Sequence, residues 1–208
     1  MIAIVDYGMG NLRSVQKGFE RVGASAQIVT RADQIDRADK IVLPGVGAFR
    51  DAVAHLREQQ LIEPLAAAAR SGRPFLGICL GLQLLFDVSY EGGTHTGLGV
   101  VPGKVVRLDF SDLANGRELK IPHMGWNELC WDGSCPLMKG LSSPRHFYFV
   151  HSYYVEPAYA GVSFGRCVYG YEFTAMIWRD NLFATQFHPE KSAEHGLALN
   201  RNFLSWKP

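Results

Sequence analysis

The chain is short of the features that mark secreted, membrane-bound or polyanion-binding proteins. Cysteine is scarce: Cys79, Cys130, Cys135 and Cys167 are the only four in 208 residues. Cys130 and Cys135 alone stand close together, and their spacing lacks the second pair that a zinc site needs. No metal site is expected, and Cys130 and Cys167 read as small buried hydrophobes. An excess of charge of one sign is also missing. Lys and Arg number 21 against 20 Asp and Glu, a net charge of +1, and no basic run resembles a nucleic-acid arm. No apolar stretch approaches the roughly 18 residues of a membrane span, and no basic segment precedes the apolar N-terminal run. These absences point to a cytoplasmic protein without nucleic-acid or membrane partners. Internal repeats, low-complexity tracts and linkers are absent too. With 47% hydrophobic and 20% charged residues, the composition is that of an ordinary globular protein. The length suits one α/β domain over residues 1–208.

What is present is a β-α alternation. Ile2-Ala3-Ile4-Val5 is a continuous apolar run, as in a strand buried on both faces. Leu12, Val15, Phe19 and Val22 recur at helical spacing, with Gly23 as a stop. Gln27-Ile28-Val29 and Lys40-Ile41-Val42-Leu43 read as strands. Phe49, Val53 and Leu56 suit a helix, and a further helix covers about 62–69. This order predicts a mainly parallel sheet with helices on both faces. After residue 90 the texture changes. Segments 104–108, 146–150, 164–168, 175–178 and 182–187 are strand-like, and Asp180-Asn181 is a hairpin turn. The second half therefore predicts a mixed or antiparallel extension, closed by a helix over about 193–206.

The most informative stretch is Gly77-Ile78-Cys79-Leu80-Gly81. It follows the apolar run Pro74-Phe75-Leu76 and precedes Leu82-Gln83-Leu84-Leu85-Phe86, which reads as helix. G-x-C-x-G is the thiol form of the nucleophile elbow, a sharp strand-to-helix turn that exposes the nucleophile above a parallel sheet. The small residues let the turn close, and the helix N-terminus favours thiolate. A thiol nucleophile needs a base. Of seven histidines, His188 stands out in Gln186-Phe187-His188-Pro189-Glu190, at the end of an apolar strand. If the strand continues, its period of two places His188 and Glu190 on one face, where the carboxylate can orient the imidazole. The oxyanion hole needs backbone N–H groups. Leu80 follows the nucleophile and supplies one, and the glycine-flanked Val46 in Gly45-Val46-Gly47 offers the other.

Gly77–Gln83 together with His188-Pro189-Glu190 resembles the class I, triad-type glutamine amidotransferases. Further motifs sharpen the likeness: 6–15 (Asp-Tyr-Gly-Met-Gly-Asn-Leu-Arg-Ser-Val), 43–49 (Leu-Pro-Gly-Val-Gly-Ala-Phe), 123–127 (His-Met-Gly-Trp-Asn), 149–153 (Phe-Val-His-Ser-Tyr) and 186–192 (Gln-Phe-His-Pro-Glu-Lys-Ser). They are similar to those of the glutaminase subunits of imidazole glycerol phosphate synthase within that family, and they run through nearly the whole chain. The resemblance implies a flavodoxin-like three-layer sandwich. It implies that Cys79 attacks the side-chain amide of L-glutamine, that Val46 and Leu80 hold the oxyanion, and that His188, oriented by Glu190, protonates the departing ammonia. Gly47, Gln83, Ser152 and Tyr153 are implied to line the glutamine pocket. No cofactor is implied.

The same resemblance implies a partner, a (β/α)8 cyclase subunit that takes up the ammonia in a heterodimer of histidine biosynthesis. Trp126, Asn127, Tyr148 and Lys191 match positions near that interface. The glycines around Val46 further suggest that its peptide presents a carbonyl in the isolated subunit and flips when the partner docks. Three alternatives stay open: an amidotransferase feeding a different synthase, a stand-alone cysteine hydrolase, and a catalytically silent regulatory subunit. The intact Cys79, His188 and Glu190 set speaks against the last.

Overall fold

The apolar runs become strands packed on both faces in a computed structural model that describes residues 1–114 and 116–208. In chain order the regular elements are β1 (Ile2–Val5), α1 (Leu12–Glu20), β2 (Ala26–Val29), α2 (Ala32–Asp36), β3 (Lys40–Gly45), α3 (Phe49–Glu58), α4 (Ile62–Arg70), β4 (Phe75–Cys79), α5 (Leu80–Leu84), β5 (Phe86–Ser89), β6 (His95–Thr96), β7 (Val101–Arg107), β8 (His123–Trp131), β9 (Arg145–His151), β10 (Tyr153–Pro157), β11 (Ser163–Tyr169), β12 (Tyr171–Arg179), β13 (Leu182–Thr185) and α6 (Ala193–Ser205).

Five strands form a parallel block in the order β2-β1-β3-β4-β13. Beyond it, β12, β10 and β7 continue the sheet antiparallel, and β11, β8 and β9 branch from β12. This is the expected mainly parallel sheet with an antiparallel extension. Its two faces hold separate cores, sorted by the strand period of two. On β1, Ala3 and Val5 join Phe49, Leu56 and Leu65 of α3 and α4. Ile2 and Ile4 join Val15 and Phe19 of α1 and Leu199 and Phe203 of α6. The result is the helix–sheet–helix sandwich implied by the resemblance, and it fixes the carboxyl ends of β3, β4 and β13 side by side.

Several local expectations are corrected. The helix after the elbow stops at Leu84, and Phe86 opens β5. The carbonyls of Leu84, Leu85 and Phe86 accept bonds from the N–H groups of Leu98, Val100, Val101 and Gly99 instead of from the next helical turn. A five-residue helix has little macrodipole, so the charge it offers Cys79 is that of its unpaired first-turn N–H groups. β13 ends at Thr185, short of Phe187. β8 and β10 are strands that sequence periodicity did not reveal. Cys167 is buried, but Cys130 is exposed. Leu129 and Trp131 point into the core, so the residue between them points to solvent. The hairpin at Asp180-Asn181 forms as expected, with Arg179 opposite Leu182.

Candidate active site

Cys79 sits at the junction of β4 and α5 with φ +54° and ψ −107°, a conformation that L-residues seldom adopt. The crowding around it explains the two flanking glycines. A Cβ on Gly81 would lie 1.8 Å from the Leu43 carbonyl oxygen, and one on Gly77 would lie 2.9 Å from that of Gly81. The elbow can close against β3 only without those side chains. Strain of this kind costs about 1–3 kcal/mol and persists because the surrounding packing determines it.

The His188–Glu190 pair is built by a turn, not by the continuing strand expected from the spacing. Proline has no N–H to donate to a ladder, and Pro189–Lys191 forms a 3₁₀ turn. That turn brings His188 Nδ1–H to Glu190 Oε1 at 2.8 Å, with both side chains 3% exposed. The His188 backbone N–H leaves β13 to donate to Tyr148 O on β9. Ser192 completes the clamp: its Oγ donates to His188 O at 2.7 Å and accepts from Tyr148 N at 3.0 Å. His188 Nε2 is buried without a closed hydrogen bond and faces the Cys79 sulfur. Burial works against charge on this imidazole, but the Cys79 thiolate and then Glu190 outweigh it and raise its pKa to about 10. The site therefore favours the charged imidazolium beside the sulfur.

A cleft of about 290 Å³ opens over the sulfur, lined by Val46, Gly47, Cys79, Leu80, Gln83, Ser152, Tyr153 and His188. Every expected nucleophile, base, oxyanion and pocket residue thus faces one cavity, apart from Glu190, which stands behind His188. The Val46 loop is exposed, and Gly47 at φ +95° has Met9 where a Cβ would go, 2.6 Å away. Glu91, also lining the cleft, accepts the Phe49 N–H at 2.8 Å and so ties the loop's far end at the start of α3.

The chain matches the family Glutamine amidotransferase class-I over residues 3–205. It belongs to that family. Among curated relatives, the imidazole glycerol phosphate synthase subunit HisH of Syntrophotalea carbinolica is 54% identical over 98% of both chains. The protein of the same name from Geobacter sulfurreducens is 52% identical over 99% of both. Solved structures share the fold at low identity. PurLQS from Thermotoga maritima is 20% identical with a TM-score of 0.76, covering 98% of this chain and 96% of that one. A crystal structure of a glutamine amidotransferase is also 20% identical, with a TM-score of 0.73 and coverage of 98% and 97%.

In this amidotransferase the four expected interface residues divide. Trp126 is 52% exposed and meets the Tyr148 ring edge-on at 6.3 Å, and Lys191 Nζ lies 5.5 Å above that ring. Asn127 turns inward. Its Nδ2 donates to Val168 O at 2.9 Å and reaches His123 Nε2 at 3.2 Å.

Sequence reasoning missed a buried polar group that runs inward from His151 in the cleft wall. His151 Nδ1 is 2.9 Å from Tyr153 O, a pure acceptor, so Nδ1 carries the proton. His151 Nε2 then accepts from His123 Nδ1–H at 2.9 Å, and His123 Nε2 accepts from Asn127. Both rings are neutral: burial lowers the pKa of His123 to about 4, and burial followed by the neighbouring His123 lowers that of His151 to about 3. His123 is stacked between Tyr169 and Phe149, with centroids 4.0 and 5.0 Å away. Tyr7 was missed as well. Its hydroxyl is fully buried without a partner and occupies the space a Gly45 Cβ would need, 2.3 Å from that position. Burial, then the Cys79 charge, push its pKa far above the usual tyrosine value. A polar side chain inside an otherwise apolar run, as at His151 and Gln186, is the signal that could have revealed this group.

Proposed function

We infer that this chain is the glutaminase subunit of an imidazole glycerol phosphate synthase of histidine biosynthesis. The observation that carries the reading is the convergence of Cys79, the His188–Glu190 pair and the glycine-flanked Val46 loop on one cleft. The names of the close relatives give the pathway. The chain acts as a single amidotransferase domain over residues 1–208. No helix among the described residues is long and apolar enough to cross a membrane, in keeping with a cytoplasmic enzyme.

The chemistry follows from the site. The Cys79 thiolate attacks the side-chain carbonyl carbon of L-glutamine, and the oxyanion is held by the N–H groups of Leu80 and Val46. As the C–N bond breaks, His188 Nε2–H protonates the nitrogen, which leaves as ammonia, because an unprotonated amide nitrogen is a poor leaving group. Water then attacks the thioester while His188 takes its proton, and the thiolate is expelled with glutamate. Glu190 keeps the imidazole in the tautomer that presents Nε2 to the sulfur. Gly47, Gln83, Ser152 and Tyr153 hold the substrate.

The relatives are named as synthase subunits, and the partner here is a (β/α)8 cyclase that receives the ammonia. Trp126, Tyr148 and Lys191 form the aromatic and cationic patch on which it docks, and Asn127 supports that patch from beneath. Replacing Cys79 with Ala tests the reading. Glutamine-dependent synthesis by the complex is expected to vanish while ammonia-dependent synthesis remains. Persisting glutamine use would overturn it.

A further inference from the structure

We propose that Gln186 is a catalytic residue of this reaction, its side-chain N–H holding the Cys79 sulfur as thiolate before attack and again on expulsion from the thioester. The proposal rests on the glutaminase reading above. Gln186 is fully buried, one residue beyond the end of β13. Its Nε2 lies 3.6 Å from Cys79 Sγ.

The orientation of this amide follows from one backbone atom. Tyr153 O can only accept, so Gln83, whose Nε2 lies 2.9 Å from it, must turn its NH2 group that way. The same NH2 group is 3.3 Å from the other end of the Gln186 amide, which must therefore be the oxygen. The Gln186 NH2 group then faces sulfur. Reversing it would set donor against donor at Gln83 and an oxygen lone pair against a thiolate. The carbonyl that starts this chain also accepts from His151 Nδ1–H, so it is held from two sides.

The remaining contacts of Cys79 leave a role for such a donor. Val150 O, 3.8 Å from Sγ, can accept from a thiol but offers nothing to a thiolate. His188 is the thiolate's charged partner, yet it gives its proton away in each turnover. When nitrogen departs, the imidazolium proton leaves with ammonia. When water attacks, the new C–O bond forms, the water proton passes to His188, the C–S bond breaks and its electron pair goes to sulfur. In that second step sulfur gains charge while His188 is only gaining its proton. A neutral, fixed N–H at the sulfur supplies stabilisation that does not depend on the protonation state of the base. In a buried site such a donor is worth more than in water.

Gln186→Glu is the discriminating variant. One carboxylate oxygen can still accept from Gln83, while the other places negative charge against sulfur. In the assembled complex, kcat for glutamine hydrolysis at about pH 8 is expected to fall about a hundredfold, with KM within about threefold. Activity should partly recover toward acid, where a protonated carboxyl again donates. Gln186→Leu should show a smaller kcat loss without that recovery. Alkylation of Cys79 by iodoacetamide should slow in both variants at neutral pH. In the unaltered chain, alkylation should shift the Gln186 side-chain amide resonance more than that of any other glutamine except Gln83. A Glu variant with wild-type kcat and alkylation profile overturns the proposal, as does an unmoved Gln186 amide should the variants fail to fold. Wild-type complex without glutaminase activity would instead refute the underlying functional reading.

Discussion

Lowering the pH from about 7.5 to about 5 should weaken the folded chain, and His123 with His151 sets the size of the effect. The fold holds both neutral, with pKa values pushed down to about 4 and about 3. The unfolded chain takes up a proton on each near pH 6.5, whereas the folded chain takes up none until the pH is far lower. Stability is therefore full above about pH 6.5 and declines as the pH falls below it. Over the stated window each ring contributes a loss of about 2 kcal/mol, about 4 together. His188, whose charge the site favours, offsets about 1 kcal/mol of this. A His123→Phe variant keeps a ring between Tyr169 and Phe149, removes one of the two titrations and takes away the neighbour that helps lower the pKa of His151, so its own loss on acidification is smaller by at least one ring's share. Its fixed packing cost is the same at both pH values and cancels in the comparison. Urea unfolding followed by tryptophan fluorescence gives the stability gap to wild type. That gap should narrow by about 2 kcal/mol or more on acidification. A gap constant to within about 0.5 kcal/mol would refute the claim that the fold resists charging this ring.

Other outcomes follow from the packing and the surface. Gly81→Ala forces a methyl group into the Leu43 carbonyl and should cost about 3 kcal/mol, read as a lower urea midpoint with an unchanged m-value. Trp126→Ala should weaken cyclase binding about thirtyfold in a titration while leaving the glutaminase activity of the free subunit unchanged. If the Val46 peptide presents its N–H to the site only after docking, turnover of glutamine should be low in the isolated subunit and rise when cyclase and its nucleotide ligand are added. Equal, high turnover in both conditions would sink that account of the loop.

The parallel half of the sheet was legible because its strands are buried on both faces and so read as unbroken apolar runs. β8 was not: His123, Leu129 and Trp131 face inward, but Met124 and Trp126 stand exposed, so hydrophobicity does not mark its faces. The elbow was legible from the glycines that crowding demands on either side of Cys79. The His188–Glu190 pairing was foreseen for a reason that does not hold, since a proline turn makes it where a strand was expected. The Gln83–Gln186 and His123–His151 contacts escaped because they join segments that are distant in sequence. Donor and acceptor roles along them become determined only once Tyr153 O is placed in space.

The backbone at Cys79 sets the reactive atom against the rest of the protein. Its φ of +54° is easy for glycine and awkward for cysteine. A glycine there would relax the elbow, and the chain would gain stability as it lost its chemistry. Searches that rank substitutions by heat resistance alone will therefore be drawn toward inactive proteins at this position. Selection for thermostability in this enzyme has to be coupled to glutamine turnover in every round.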